Sequence, residues 1–277
     1  SINNTLLSYT GAFLGFILIY LQPHLISAND IGLIRLMYSF SWMAGIIMPL
    51  GITSITMRYF PSVRNETSSH HGLFSILFLF TSTGALLVAG LLVMNRESFI
   101  SYFNSSGDFT AYFNEALVFS YILGMISVYT VFANVLLKTT YAVFLTDVFT
   151  RVCQVALVVI YHYGWLEQDQ FVGGYIFIFV AQLVLLIGYL LKQNAVSFKV
   201  NWGFYRGLRL REIAVFGLIM MHTAFASLGV KLIDQLMIGH FLDERFVGIY
   251  ATSIMICAVM EIPFNSLERI AGPKISY

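Results

Sequence analysis

The sequence predicts an all-α integral membrane protein. Residues of the set AVILMFWYC make up 58% of the chain and charged residues only 10%, whereas soluble domains carry about 25% charged residues. The apolar runs last about 20 residues between polar breaks, which matches a hydrocarbon core of ~30 Å at about 1.5 Å per residue. These runs are continuous and do not alternate with a period of two, so an outer-membrane β-barrel is disfavoured.

Eight spans follow from these runs. The second and the seventh are longer than a bilayer needs and must tilt, bend or project into water. Pro49 predicts a kink in the second span. Cys153 and Cys257 fall inside spans, which favours buried thiols over a disulfide framework. The predicted spans are 7–26, 31–60, 72–94, 114–137, 140–162, 171–191, 211–239 and 246–268.

The distribution of lysine and arginine between the connections predicts a cytoplasmic N-terminus. Basic residues accumulate in cytoplasmic loops, and on one side the connections hold only Arg96 and Arg245. The connections on the other side hold Arg58, Arg64, Lys138, Lys192, Lys199, Arg206, Arg209, Arg211, Arg269 and Lys274. We therefore predict that 61–71 and 192–211 are cytoplasmic and that 95–113 and 163–170 are external.

A basic stretch, VNWGFYRGLRLRE (200–212), divides the chain. Its aromatic and leucine residues alternate with arginines, as in a segment that lies on the headgroup surface. An ordinary basic loop explains the same pattern equally well. In either case the sequence predicts a six-helix bundle over 1–193, a linker over 194–211, and two further helices over 212–277.

The chain contains an internal repeat. NDIGLIRL (29–36) opens the second span and ERFVGIYA (244–251) opens the eighth, each with an acidic residue before an apolar-Gly-apolar step. The corresponding positions are Gly32 and Gly248, Pro49 and Pro263, Arg58 and Arg269, and Pro61 and Pro273. Because both copies run in the same direction, the repeat is parallel, as in several transporters. Spans seven and eight would then begin a second, pseudo-symmetric bundle.

Three stretches carry a family resemblance: LISANDIGLIRLMYSFSWMAGIIMPLGITSITMRYFP, FLTDVFTRVCQVALVVIYHYGWLEQDQFVGGY and IDQLMIGHFLDERFVGIYATSIMICAVMEIPFNSLERIAGPKIS. In them the chain resembles the polysaccharide biosynthesis transporters related to O-antigen flippases, which share a superfamily with the multidrug/toxin extruders and the lipid II flippase. Members usually have twelve or more spans in two bundles. The chain resembles the first bundle and the start of the second, so we expect it to be a fragment.

The resemblance implies a multi-pass protein of the bacterial inner membrane with a cavity between its bundles. Such a protein moves lipid-linked oligosaccharide, a sugar repeat unit on polyprenyl pyrophosphate, across the membrane by alternating access during surface polysaccharide (lipopolysaccharide O-antigen) biosynthesis. The expected partners are this lipid and the bilayer, with a polysaccharide polymerase and glycosyltransferases as candidate protein partners and no nucleic acid. The expected protein is not an enzyme and needs no cofactor; H⁺, Na⁺ or the membrane potential would drive it.

Charged residues within the spans mark the candidate cavity, because each costs roughly 2.5–3.5 kcal/mol at membrane depth. Asp147 and Arg151 share one helix face, about 40° apart. Either they form a cavity wall, where Arg151 offers its planar fork to a substrate phosphate, or they neutralise each other between packed helices. Lys231 and Asp234 repeat the arrangement at i,i+3. The candidate substrate-binding residues are Arg35, Asp147, Arg151, Lys231, Asp234 and Glu261.

Three positive against three negative candidates leave the sign of the substrate charge undecided. A cation-coupled multidrug extruder is the main alternative, and a membrane-embedded transferase or a non-transporting scaffold is another. The six histidines are scattered without ligand spacing, so a metal site is not predicted. The sequence contains neither a P-loop nor a nucleophile elbow in its short loops, which disfavours an ATP-driven pump. Gly11 and Gly15 in the first span predict close helix packing.

Overall fold

The computed structural model describes residues 2–65, 69–103, 106–192, 200–206 and 209–257. Within these ranges the chain is helical and contains no strand, which confirms the all-α prediction. Six of the described helical segments are long and apolar enough to cross a membrane, and one of these is the continuous run Thr139–His162. The bent pair Ala28–Ile47 and Ile52–Val63 makes a seventh span if its two halves are counted together. The chain is therefore an α-helical, multi-pass membrane protein.

The predicted spans one to seven fall on these long helices and on the bent pair, whereas only the beginning of span eight is described. The helices are α1 (Ile2–Leu25), α2 (Ala28–Ile47), α3 (Ile52–Val63), α4 (Leu73–Met94), α5 (Arg96–Tyr102), α6 (Gly107–Ala111), α7 (Phe113–Val135), α8 (Thr139–Val143), α9 (Thr150–His162), α10 (Gln168–Lys192), α11 (Trp202–Arg206) and α12 (Leu210–Phe241). A π-turn (Phe144–Phe149) joins α8 to α9, and residues 244–257 form the described part of α13.

The kink predicted at Pro49 is confirmed. Helix α2 ends just before this proline, and α3 resumes at Ile52 with a bend of 46°. Leu50 and Gly51 turn the corner with φ values of 51° and 77°. A Cβ atom at Gly51 would also lie 2.1 Å from the carbonyl oxygen of Gly217 in α12. Both the left-handed conformation and this close approach therefore require glycine.

Helix α7 is the centre of the bundle. It contacts α2, α3, α4, α8 and α10. In its most apolar stretch of 18 residues 67% of the residues are buried, whereas the corresponding share is 17% in α1 and 6% in α12. Helix α12 packs along α2 and α3, where the Ser39 hydroxyl donates to Gln235 Oε1 over 2.7 Å. Helix α1 packs on the other side, against α9 and the π-turn. The division into the bundle 1–193 and the segment 212–277 stays a prediction.

The connection 95–113 contains two short helices, α5 and α6, that the hydropathy pattern does not indicate. The end of α12 and the start of α13 pack against α6. The buried carboxylate of Glu244, the first residue of α13, accepts a hydrogen bond from the Phe109 backbone N–H over 3.0 Å. The Ser106 hydroxyl donates to the carbonyl oxygen of Gly239 over 2.7 Å. At this end of the molecule, Ser106 and α6 therefore pack against the end of α12 and the start of α13.

Within the basic linker, Trp202–Arg206 form the short helix α11, and α12 begins at Leu210, before the predicted end of the linker. The Phe204 ring of α11 stacks on His71, with ring centroids 3.9 Å apart, and the Asn201 N–H donates to the His71 carbonyl oxygen over 3.2 Å. The linker is thus held against the connection that follows α3. This contact places the two predicted cytoplasmic connections at one end of the molecule.

Labelling of single cysteines tests the predicted topology. After replacement of Cys153 and Cys257 by serine, a cysteine introduced at Ser105 should react with a membrane-impermeant maleimide from outside. A cysteine at Ser197 should react only from the cytoplasmic side, because the basic connections lie there. Both labels are measured on intact cells and on inverted vesicles, and labelling of both positions from one side would contradict the topology.

Candidate functional site

A polar cavity of about 320 Å³ lies between α1, α2, α7, α9 and α10. Three of the six candidate residues line it: Arg35 from α2, Asp147 from the π-turn and Arg151 from α9. Met255 of α13 closes part of its wall. The other polar and aromatic residues that line the cavity are Gln22, Tyr38, Trp42, Thr146, Thr150, Gln154, Tyr175, Phe179 and Gln182.

Arg35 is half-buried at one end of the cavity. Its Nη2 donates to Gln22 Oε1 over 3.5 Å and contacts the Met255 sulfur at 3.3 Å. Both contacts are weak by ordinary criteria, since a good N–H···O bond measures about 2.9 Å. A guanidinium has five N–H donors, so most of those of Arg35 have no partner among the described residues and can serve a ligand in the cavity.

Asp147 and Arg151 do not form the ion pair that their i,i+4 spacing suggests. Among the described residues no salt bridge within 4.0 Å links them. Instead, both bind α1: Asp147 Oδ2 accepts from the Ser8 hydroxyl over 3.2 Å, and Arg151 Nη1 donates to the carbonyl oxygen of Gly11. The two side chains are thus held separately by α1, at positions one helical turn apart, and a π-turn, a wider form of helical turn, contains Asp147 and ends just before Thr150.

The glycines of α1 allow this contact, as the sequence predicted. A Cβ atom at Gly11 would lie 2.7 Å from the Asp147 backbone oxygen and from its Cβ. One at Gly15 would lie 2.8 Å from Arg151 Nη1. Small residues spaced four apart let two membrane helices approach closely. Gly11 and Gly15 therefore let the α1 backbone lie directly against Asp147 and Arg151.

We expect the two glycine-to-alanine substitutions to differ. At Gly11 the methyl group meets backbone, which cannot move aside, so Gly11→Ala should destabilise the protein by about 1–3 kcal/mol. At Gly15 it meets the tip of a flexible arginine, so Gly15→Ala should keep the stability but displace the guanidinium. Thermal unfolding in detergent measures the difference. Equal melting temperatures of the two variants would contradict it.

Two of the other three candidates lie elsewhere. Lys231 and Asp234 are exposed on α12 and do not line the cavity; Asp234 accepts a hydrogen bond from the Tyr250 hydroxyl over 2.7 Å. Glu261 falls outside the described residues. The cavity therefore collects two positive candidates and one negative one from the described part of the chain.

Sequence reasoning missed four of the uncharged polar residues of the cavity: Gln22, Thr146, Thr150 and Gln182. Gln22 and Gln182 are 7% and 2% exposed, and each is a glutamine within an apolar run. Thr146 and Thr150 were also overlooked, although they flank Asp147 at the π-turn. A glutamine deep inside a span is the signal that could have identified the first two, because an amide there needs a polar partner.

The cavity is suited to an anion with polar groups attached. Among the described lining residues, two guanidinium groups and one carboxylate give a net positive charge, and the carboxylate already accepts a hydrogen bond from Ser8. Tyr38, Trp42 and Tyr175 supply aromatic faces, and the glutamines supply amide donors and acceptors. Across the described ranges no group of three or more His, Cys, Asp or Glu side chains could hold a metal ion.

Comparison of the chain with known protein families, with curated proteins and with solved structures gives no match. The family resemblance drawn from the sequence therefore stays a prediction, and the cavity is the main structural guide to function.

Proposed function

We propose that this protein is a membrane transporter whose bundle cavity binds the pyrophosphate and adjoining sugar of a lipid-linked oligosaccharide. The single observation that supports it most is the pairing of Arg35 and Arg151 in one cavity with Asp147 as the only described carboxylate in its lining. Buried arginines favour phosphate groups because their planar fork donates two parallel hydrogen bonds. This arrangement favours an anionic substrate, a choice that the candidate charges alone left open.

The dimensions of the cavity agree with a headgroup rather than a whole oligosaccharide. A cavity of about 150 Å³ can hold one benzene ring, so 320 Å³ admits about two groups of that size. The lipid tail would stay in the bilayer, beside the apolar outer faces of the helices. Water in a polar cavity also lowers the cost of keeping charges inside a membrane protein.

A cation-coupled multidrug extruder is the second candidate, because Asp147 offers a carboxylate inside the cavity. An extruder should bind a lipophilic cation there, whereas the proposed flippase should bind an anion. The two candidates thus predict ligands of opposite charge for the same site.

Binding measurements on the purified chain in lipid nanodiscs distinguish the two candidates. Inorganic pyrophosphate is the anionic probe and tetraphenylphosphonium the cationic one. We expect pyrophosphate to bind with an affinity that falls as ionic strength rises, and the cation not to compete with it. Binding of the cation alone would favour the extruder, and binding of neither probe to folded protein would overturn the proposed site.

Transport needs a separate measurement. The protein is reconstituted into vesicles that carry a polyprenyl-pyrophosphate disaccharide, and a lectin outside the vesicles reports sugar that reaches the outer leaflet. Faster lectin labelling than in protein-free vesicles supports transport. Pyrophosphate binding without faster labelling would limit the role of this chain to substrate binding.

A further inference from the structure

The π-turn in the cavity wall requires a separate explanation. The Thr150 N–H bonds to the carbonyl oxygen of Leu145, five residues back, so the turn holds one residue more than an α-helical turn. Such turns are rare and are found frequently at functional sites. Because an α-helix is the more favourable geometry, some contact outside the turn must hold it open.

Gln182 of α10 makes that contact. Its side chain is 2% exposed, and its Nε2 donates to Thr146 Oγ1 over 3.2 Å. The single hydroxyl hydrogen of Thr150 is shared between the Leu145 carbonyl oxygen, 2.8 Å from Oγ1, and Gln182 Oε1, 3.3 Å from it, so Oε1 accepts the weaker part of a bifurcated hydrogen bond. One buried amide therefore joins both ends of the π-turn to the neighbouring helix.

The π-turn affects which partners Asp147, inside the turn, and Arg151, just after it, can contact. In a regular α-helix, Asp147 and Arg151 would be neighbours at i,i+4 and would attract each other. With the π-turn in place α1 holds each of them instead: Asp147 accepts from Ser8, and Arg151 donates to the Gly11 carbonyl oxygen. The positive charge of Arg151 then stays available for a ligand, since no carboxylate of the described residues pairs with it.

We propose that Gln182 is a positioning residue for the anion site: by holding the π-turn open it keeps Asp147 away from Arg151 and so preserves the positive charge of the cavity. Relaxation of the turn to an α-helix would let the two side chains pair, and the cavity would lose affinity for phosphate groups. The proposal rests on the proposed function for its ligand, but its geometric part does not.

The first test is pyrophosphate binding to variants of the full chain in nanodiscs. Gln182→Leu removes both hydrogen bonds at similar side-chain size and should weaken binding up to roughly fivefold, the effect expected of one new ion pair. Gln235→Leu is the matched control. Gln235 is also a buried glutamine with a hydrogen bond to a neighbouring helix, but it lies outside the cavity, so its replacement should leave affinity unchanged.

The double variant Gln182→Leu, Asp147→Asn separates positioning from a general structural role. If the loss arises from pairing with Asp147, removing that charge should restore affinity to at least the level of the unmutated protein. A merely destabilised fold, or a direct contact between Gln182 and pyrophosphate, gives no such rescue. Wild-type affinity in Gln182→Leu, or no rescue in the double variant, would overturn the proposal.

A cross-linking measurement tests the geometry without any ligand. In a chain freed of Cys153 and Cys257, cysteines at positions 8 and 147 replace side chains whose oxygens lie 3.2 Å apart and should form a disulfide in high yield. Adding Gln182→Leu should lower that yield at least severalfold, and Gln235→Leu should not. Unchanged yield overturns the positioning role. A lowered yield in a protein that never binds pyrophosphate upholds that role and contradicts the proposed function instead.

Discussion

Replacement of Arg151 by alanine should abolish pyrophosphate binding and lipid-linked sugar transport while the protein remains folded in the membrane. The substitution removes one of the two guanidinium groups that line the cavity and leaves Asp147 to offset the charge of Arg35. Removal of one partner from a desolvated charge interaction costs about 2–5 kcal/mol, which corresponds to a loss of affinity of at least roughly thirtyfold. Titration of the nanodisc-embedded variant with pyrophosphate measures this loss.

Related substitutions show which property of Arg151 matters. Arg151→Lys keeps the charge but not the planar fork, so it should retain part of the affinity. Asp147→Asn frees the cavity of its negative charge and should bind pyrophosphate at least as tightly as the unmutated protein. Arg96→Ala is the matched control, because Arg96 is exposed and its guanidinium lies over the Phe113 ring, 5.8 Å from the centroid, away from the cavity.

Two results would contradict this prediction in different ways. Normal binding by Arg151→Ala would show that the arginine serves only to attach α9 to α1 through the Gly11 carbonyl. Loss of the protein from the membrane would show the same attachment to be essential for folding. In the second case, Arg151→Lys separates the two roles. If this variant folds but does not bind pyrophosphate, the phosphate contact is made by the guanidinium group of Arg151.

The positions of the membrane helices were predictable from the sequence because hydropathy over about 20 residues reports directly on burial in lipid. The bend at Pro49 was predictable because proline cannot complete the helical hydrogen bonds. The helices α5 and α6 were not, since each is far shorter than a span and leaves no hydropathy signal. The π-turn was not predictable either, because it depends on Gln182, which lies more than thirty residues away in the chain.

The candidate site was only partly predictable for a similar reason. Charge at membrane depth shows that a residue matters but not which way it faces. Arg35, Asp147 and Arg151 share one cavity. Lys231 and Asp234 are also charged residues within a span, but they are exposed on α12, which does not line that cavity. The orientation of α12 depends on its packing along α2 and α3, which periodicity does not reveal.

The repeat predicted from the sequence brings together the two glycines that define it. Gly32 of α2 and Gly248 of α13 lie at a helix crossing in which each packs on the backbone of the other helix. A Cβ atom at Gly32 would lie 1.7 Å from the Glu244 carbonyl oxygen, and one at Gly248 would lie 2.0 Å from the Ala28 carbonyl oxygen. Each contacted carbonyl comes four residues before the opposite glycine, so the contact is reciprocal. Such reciprocity is expected of two segments related by a twofold rotation.

Gly32→Ala and Gly248→Ala should each separate α13 from α2 and lower stability by a similar amount, about 3 kcal/mol or more, because a methyl group cannot fit between two backbones. Gly229→Ala is the matched control: its Cβ would meet no atom within 4 Å, so it should keep or raise stability by up to about 1 kcal/mol as a better helix former. Thermal unfolding in detergent ranks the three variants. Full stability of either crossing variant would show that the helices are not in contact. Unequal losses would contradict the reciprocal geometry, because a twofold relation makes the two methyl groups meet equivalent backbone.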